Sequence, residues 1–117
     1  MIRTKTENGS ISVDSTVFTN IAGFAATNCF GVKGMAMRSM TDGLVHLLRK
    51  DAMGKGVRVT FNEDQSISIE LHIMVDRNVN ISAIGSSIIS EVRYSVTKAT
   101  GTEVRAVNVF VDSITVD

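Results

Sequence analysis

The chain has 117 residues, of which 44% are hydrophobic and 21% are charged, and its formal net charge is zero. This length and balance fit a single globular domain over residues 1–117 and exclude a disordered chain. A lone cysteine excludes an internal disulfide framework and suits a reducing compartment. No signal-peptide pattern and no run of about 18 apolar residues occurs, so we expect a cytoplasmic protein without integral membrane insertion.

The charges are unevenly distributed along the chain. Residues 33–58 contain six lysines and arginines against two acidic residues, whereas residues 59–117 contain four against eight. If these segments stay apart in space, the resulting dipole favours self-association or an oriented partner over general polyanion binding. An ordinary scatter of surface charge is the alternative interpretation, and the sequence leaves both open.

The N-terminal third predicts a strand followed by a helix. We expect residues 1–8 to be flexible, and the alternation over residues 10–13 indicates a short strand. Asp14 is placed to cap a helix that runs to about Cys29, with Gly31 as its C-cap. The predicted core face of this helix comprises Val17, Ile21, Phe24 and Ala25.

The middle of the chain predicts an extended segment over residues 32–37 and then a second, shorter helix. That helix would begin at Thr41 or Asp42 and would end before a loop over residues 50–56 that contains two glycines. Its predicted inward residues are Leu44, Leu47 and Leu48.

The C-terminal half predicts a hairpin, a long helix and a last strand. Residues 57–61 and 67–75 alternate apolar and polar side chains, as a hairpin with one buried face does. The long helix would begin after Asn80 and end at Gly101. In the last strand, which starts at Val104, the phase of the alternation changes and indicates a bulge near Ala106.

The predicted element order is therefore β-α-β-α-β-β-α-β. Strands with one apolar face, interleaved with amphipathic helices, indicate an α+β fold: a two-layer sandwich with a mixed β-sheet and helices on one face.

Several blocks of small and aliphatic residues together resemble the alkaline-shock (envelope stress response) protein family of Gram-positive bacteria. Each block is weak alone, but their order and spacing are fairly specific, and the resemblance covers the chain from about Gly9 to Val116. The blocks are residues 22–26, 29–35, 42–48, 56–59, 100–101 and 107–111.

The resemblance implies a cytoplasmic, self-associating protein linked to cell-envelope or alkaline stress. Within the family the chain looks closest to short members encoded beside a fatty-acid-kinase-like protein. Some members are held near the membrane by a separate anchor protein, so a membrane-proximal position through a partner is implied. The family has no established catalytic motif, so no active-site residues carry over.

No residue pattern predicts catalysis, a metal or a cofactor. Cys29 lies near a helix C-terminus, whose negative pole raises a thiol pKa, and we interpret it as a packing residue. His46 and His72 stand alone in their segments without metal-ligand spacing, and His72 is expected to face solvent from the outer side of a strand. We therefore expect a protein that is not an enzyme.

Nucleic-acid binding is one alternative. Gly31 and Gly34 enclose a GXXG pattern like that of KH domains, which hold nucleic-acid backbone between two helices. Against this alternative, the residues after Gly34 look extended, the net charge is zero, and no aromatic residues interleave with the bases. The basic residues that could contact phosphates are Lys33, Arg38, Arg49 and Lys50.

Self-association is predicted on the last strand. Phe110 falls on the face opposite Val107 and Val109, and Ile114 and Val116 are in phase with it. Such an apolar strip on an edge strand invites pairing with another copy or with a partner peptide.

We therefore interpret the sequence as that of a non-enzymatic scaffold or adaptor that associates with itself and with an envelope-linked protein. The alternatives are an RNA-binding module that uses the GXXG loop, and a small-molecule or lipid-binding regulator of a neighbouring kinase. The last alternative requires an apolar cavity, which a sequence does not reveal.

Overall fold

The computed structural model describes residues 1–39 and 43–115, apart from the side chain of residue 51. Within those residues the chain forms seven β-strands, two α-helices and one 3-10 helix, η1. In chain order these are β1 (Ile2–Thr6), β2 (Gly9–Val13), α1 (Ser15–Thr27), β3 (Val32–Arg38), β4 (Val45–Leu47), η1 (Lys50–Gly56), β5 (Val57–Phe61), β6 (Ile67–Val75), α2 (Ile81–Thr100) and β7 (Val104–Ile114).

Strand β6 is the centre of a five-stranded sheet of mixed orientation. On one side it pairs in parallel with β7 along its whole length. On the other side its first half pairs antiparallel with β5 and its second half pairs antiparallel with β3, beyond which lies β4. The parallel β6–β7 pair is joined by α2, as the crossover between parallel strands requires.

Both α-helices pack on one face of this sheet, so the α+β sandwich is confirmed. The alternation in β6 determines that face: its odd-numbered residues are buried and its even-numbered residues are half-buried on the helix-free side. Helix α2 begins as predicted, because Asn80 Oδ1 accepts a hydrogen bond from the Ala83 N–H at 3.0 Å. It ends at Gly101, whose φ of 72° is the left-handed value that favours glycine.

Two bulges interrupt the pairing of β7 with β6. The first is the predicted one, since Ile67 pairs with Val104 and Ser68 with Ala106. The second follows Val111 and was not predicted. Each extra residue reverses which face the following side chains occupy.

The prediction of a second helix is wrong over the part of that segment that the structure describes. Its first predicted residues, Thr41 and Asp42, lie outside the described residues, and the residues that follow form β4, antiparallel to β3. Leu44 and Leu47 are exposed, and only Leu48 packs against the core. Three leucines at helical spacing cover little more than one turn, and so short a pattern is outweighed by hydrogen bonding to the edge of a neighbouring strand.

The core face of α1 differs from the prediction. Asp14 caps this helix as expected, accepting a hydrogen bond from the Thr16 N–H. However, Val17 and Phe24 are 41% and 51% exposed, while Phe18 is fully buried. The remaining buried residues of α1 are small: Ala22, Gly23, Ala25 and Ala26.

Small residues face inward because η1 crosses α1 closely. A Cβ atom at Gly23 would lie 3.4 Å from Met53 Cγ, so η1 is in van der Waals range of the helix at this point. The helix also ends earlier than predicted, with Asn28 as its C-cap. Gly31, predicted to be the C-cap, lies instead in the turn before β3 with a φ of 88°.

The N-terminal segment contains strand β1, which the sequence pattern did not predict. It pairs antiparallel with β2 in a separate two-stranded sheet, with Thr6 opposite Gly9. The two-residue connection is Glu7-Asn8, and Gly9 opens β2. Ile2 anchors this hairpin, since it is buried in the main core.

Candidate functional site

The helix-free face of the sheet carries a cluster of four interacting side chains around His72. Its Nδ1 lies 3.0 Å from Asp112 Oδ2, and its Nε2 lies 3.0 Å from Glu70 Oε2. Its ring also stacks on Phe110, with the ring centroids 4.9 Å apart and the planes 12° apart. The side chain of His72 is about one-third exposed, so the cluster forms part of the protein surface.

This geometry favours the charged form of the histidine. A neutral imidazole has one N–H donor, so one of its nitrogens would turn a lone pair toward a carboxylate, whereas the imidazolium donates to both. Burial alone lowers the pKa of His72, but its hydrogen bonds to Glu70 and Asp112 and the negative charges of these carboxylates outweigh that effect. The pKa of His72 is therefore raised above its ordinary value.

Sequence reasoning treated His72 as isolated because the cluster depends on the pairing of two distant strands. The parallel register places Phe110 directly beside His72, and Asn108 beside Glu70. Asp112 then reaches His72 diagonally from the second bulge. The only available signal was the alternation in both strands, and it needs the register before it indicates contact.

The two carboxylates of the cluster do not make a metal site. They bind opposite nitrogens of the same imidazole ring, so their oxygens do not converge on one point. Among the residues described, no group of three or more His, Cys, Asp or Glu side chains could hold a metal ion.

Strand β7, which carries Phe110, forms one edge of the sheet. Within the part of the chain that the structure describes, it pairs with β6 alone, so its other side offers unpaired backbone groups. Phe110 is 44% exposed on the helix-free face, where the sequence placed it.

The predicted strip of Phe110, Ile114 and Val116 is not continuous in the structure. The second bulge reverses the alternation, so Ile114 pairs with Val75, which points to the helix side, whereas Phe110 pairs with His72 on the other side. Ile114 is exposed but lies on the opposite face from Phe110. Val116 lies outside the described residues.

A shallow groove runs between α2 and the free edge of β7. On the helix side it is lined by Ser82, Gly85, Ser86 and Ile89, and on the strand side by residues 107–110. A Cβ atom at Gly85 would have no heavy atom within 4 Å, so the groove is open on its helix side. Another chain could therefore approach the strand closely.

The GXXG residues do not form a nucleic-acid clamp. Gly31 precedes strand β3, and Gly34 lies within that strand, so the second helix of the clamp is absent from this position. Both glycines are buried: a Cβ atom would lie 2.5 Å from Ile84 Cδ1 at Gly31 and 2.9 Å from Leu47 Cδ1 at Gly34. The pattern therefore reflects close packing.

Three of the four basic residues predicted as phosphate contacts are divided between two clefts. Lys33 and Lys50 line a cavity of about 300 Å³ between α1, β3 and η1. Arg38 lines a different cleft, on the helix-free face, together with Lys55 and Arg58. Arg49 lines neither of these clefts among their described residues.

Cys29 is half-buried and its thiol donates a hydrogen bond to the Ala25 carbonyl oxygen at 3.5 Å. Burial, together with the charge of Glu91, raises the pKa of this thiol. A raised pKa reduces the thiolate fraction and so disfavours a nucleophilic role.

No helix in the described part of the chain combines the length and the apolar character needed to cross a bilayer.

Comparison with known proteins gives one matching family and several relatives. Residues 3–116 match the model of the alkaline-shock protein 23 family, which is described as having a cell envelope-related function. The chain is 34% identical over 116 residues to the uncharacterized protein YloU of Bacillus subtilis, covering 98% of this chain and 96% of that protein. It is 33% identical over 116 residues to the uncharacterized protein Spy1614 of Streptococcus pyogenes serotype M6, covering 98% and 95%.

Among solved structures, the chain is similar in fold to the MamM CTD. One such structure gives a TM-score of 0.51 at 17% identity, covering 86% of this chain and 99% of the other. The manganese form gives a TM-score of 0.50 at 18% identity with the same coverage. At this identity the likeness concerns the fold alone.

Proposed function

Since the chain belongs to the alkaline-shock protein 23 family, whose function is cell envelope-related, we propose that it is a non-enzymatic scaffold that self-associates through the free edge of β7. The family predicted from the sequence is thereby confirmed. The scaffold role, a cytoplasmic position near the envelope and a second envelope-linked partner are parts of the proposal.

The observation that carries the proposal is that the eleven-residue strand β7 has one edge with no partner strand among residues 1–39 and 43–115. Soluble proteins usually protect such an edge with charges, prolines or a covering element, because unpaired N–H and C=O groups recruit other strands. Between Ala106 and Val111 the strand has no charged residue and no proline. The edge is therefore suited to backbone pairing with a further strand.

A second copy of the chain fits this edge better than an unrelated peptide, because the strand is complementary to itself. Arg105, which pairs with Asp64, lies at one end of the uncharged stretch, and Asp112, which pairs with His72, lies at the other. Antiparallel pairing of two copies about Asn108 and Val109 would bring the basic end of each strand toward the acidic end of the other. Such a two-fold contact uses the same patch on both subunits.

Substitution of Phe110 by glutamate tests the proposal. The change places a charge on the exposed face of the edge strand, and we expect the mass measured by light scattering after size exclusion to fall to that of a monomer. Phe30→Glu is the matched control, since Phe30 is 92% exposed and precedes β3, which pairs with β6 on the side opposite β7. An assembly of unchanged mass in the Phe110 variant would contradict the proposal.

A second variant tests the edge without altering the sheet. Gly85→Lys places a long cationic side chain beside the groove, where the position is open, and replaces a helical glycine with a better helix former. We expect it to keep the helical circular dichroism of the wild type and to lose self-association. If it assembles as the wild type does, copies do not meet at this edge.

A further inference from the structure

The cavity between α1, β3 and η1 lies apart from the free edge of β7 and is lined by a mixture of apolar and polar residues that includes two lysines. Its volume is about 300 Å³, at the lower end of the range of ligand pockets, roughly 300–1,000 Å³. Its apolar lining comes from three elements: Met35 from β3, Met53 from η1 and Phe24 from α1. Leu48, in the segment before η1, completes it.

These apolar residues leave open a space that the fold itself does not fill. Met53 and Leu48 are half-buried and form the floor, whereas Met35 lies fully buried beneath it. Phe24 is 51% exposed, which is unusual for a phenylalanine on a helix that packs its opposite side in the core. Methionine side chains adapt to ligands of irregular shape, so the floor suits a flexible aliphatic group.

The polar part of the cavity is positively charged. Lys33 and Lys50 are exposed and line it, and none of the described residues that line it is acidic. Neither lysine forms a salt bridge with another described residue. The C-terminus of α1, next to Asn28, contributes about half a negative charge, which two full positive charges outweigh.

We propose that this cavity binds a small single-chain amphiphile whose head group is a phosphate. The apolar floor would take the chain, and the ammonium groups of Lys33 and Lys50 would bind the head group as two point charges. A phosphate monoester is favoured over a singly charged head group because its charge matches the two lysines. This site is independent of the self-association proposed for β7.

Three probes distinguish the contribution of the apolar floor from that of the lysines: n-octyl phosphate, inorganic phosphate and n-octanol. Their binding to the full chain is measured by calorimetry and by NMR shifts. We expect n-octyl phosphate to bind at least about tenfold more tightly than either of the others, because only it uses both the floor and the lysines. Equal binding of n-octyl phosphate and inorganic phosphate would overturn the proposal, and so would no binding of n-octyl phosphate.

Charge reversal tests the two lysines. We expect Lys33→Glu and Lys50→Glu each to weaken binding of n-octyl phosphate by about tenfold or more, since attraction becomes repulsion. Lys55→Glu is the matched control, because Lys55 belongs to η1 but lines the cleft on the other face. Equal weakening in the control would show a general charge effect and would overturn the site.

A bilayer is the rival occupant of the same surface. Sedimentation with phosphatidylglycerol vesicles tests it on the same variants. Vesicle binding that depends on Lys33 and Lys50, in a protein that does not bind n-octyl phosphate, would assign the surface to a membrane and refute the cavity site.

Discussion

His72 on β6 and Phe110 on β7 stack with their planes 12° apart, although 37 residues separate them in the sequence. The contact follows from the parallel register, which makes the two residues direct neighbours on the helix-free face. Glu70 and Asp112 hold the imidazole by its two nitrogens, so the ring has little freedom to turn. We propose that copies meet at Phe110, and its ring therefore stacks on an imidazole that can gain or lose a proton.

The first prediction concerns pH. Because the pKa of His72 is raised in the folded chain, its stabilising effect is fully present below the unfolded value of about 6.5 and is lost as pH rises through the folded value. We expect the free energy of unfolding to be lower at about pH 8.5 than at about pH 6. Urea unfolding followed by circular dichroism measures the difference.

The control for this prediction is His72→Gln, which keeps a polar side chain but does not titrate. In this variant the decrease between the two pH values should become smaller than in the wild type. An equal decrease in both proteins would assign the effect to other groups.

The second prediction compares three glycines. Gly31 and Gly101 both have positive φ, but only Gly31 is crowded, with Ile84 Cδ1 2.5 Å and Val79 Cγ1 3.2 Å from the position of an added Cβ. We expect Gly101→Ala to cost about 1 kcal/mol from its backbone conformation, and Gly31→Ala to cost about 2 kcal/mol or more. Thermal and urea unfolding measure both values.

Gly85→Ala completes this comparison, because Gly85 is helical and has open space around it. It should raise the stability by up to about 1 kcal/mol. If Gly31→Ala lowered the free energy of unfolding no more than Gly101→Ala, the inference that Gly31 is closely packed would be wrong. The role of Gly31 would then need another explanation.

The sequence predicts those parts of the fold whose patterns are long or chemically distinctive. Strand β6 alternates apolar and polar side chains over nine residues, and this pattern indicates the strand without other evidence. In α2 the helical spacing of apolar residues and the caps at Asn80 and Gly101 indicate the same helix. The predictions failed where the pattern was short, as at Leu44 and Leu47, and on the core face of α1, where Val17 and Phe24 are exposed. The His72 cluster and the second bulge depend on strand register, which no local pattern contains.

The third prediction concerns the central strand. Leu71 is fully buried on the helix-covered face of β6, so Leu71→Ala removes core contacts and leaves a cavity. We expect a loss of about 3 kcal/mol in the free energy of unfolding. Thr60→Ala on the exposed face of β5 should change it by no more than about 0.5 kcal/mol. Similar losses in both variants would contradict the assignment of the core face.

The last prediction separates charge from hydrogen bonding in the His72 cluster. Asp112→Asn keeps an oxygen that can accept from the Nδ1–H but removes the negative charge that stabilises the imidazolium. We expect the pKa of His72, followed by NMR of its ring protons, to fall relative to the wild type, and Glu70→Gln to act in the same direction from the Nε2 side.

Asp64→Asn is the control for these variants, because Asp64 pairs with Arg105 at the surface rather than with His72. It removes the same charge without touching the imidazole, so the titration of His72 should match that of the wild type. If all three variants moved the pKa of His72 equally, overall net charge rather than the two contacts would govern it. If the pKa of His72 falls only in Asp112→Asn and Glu70→Gln, these two carboxylates stabilise the charged imidazole that stacks on Phe110.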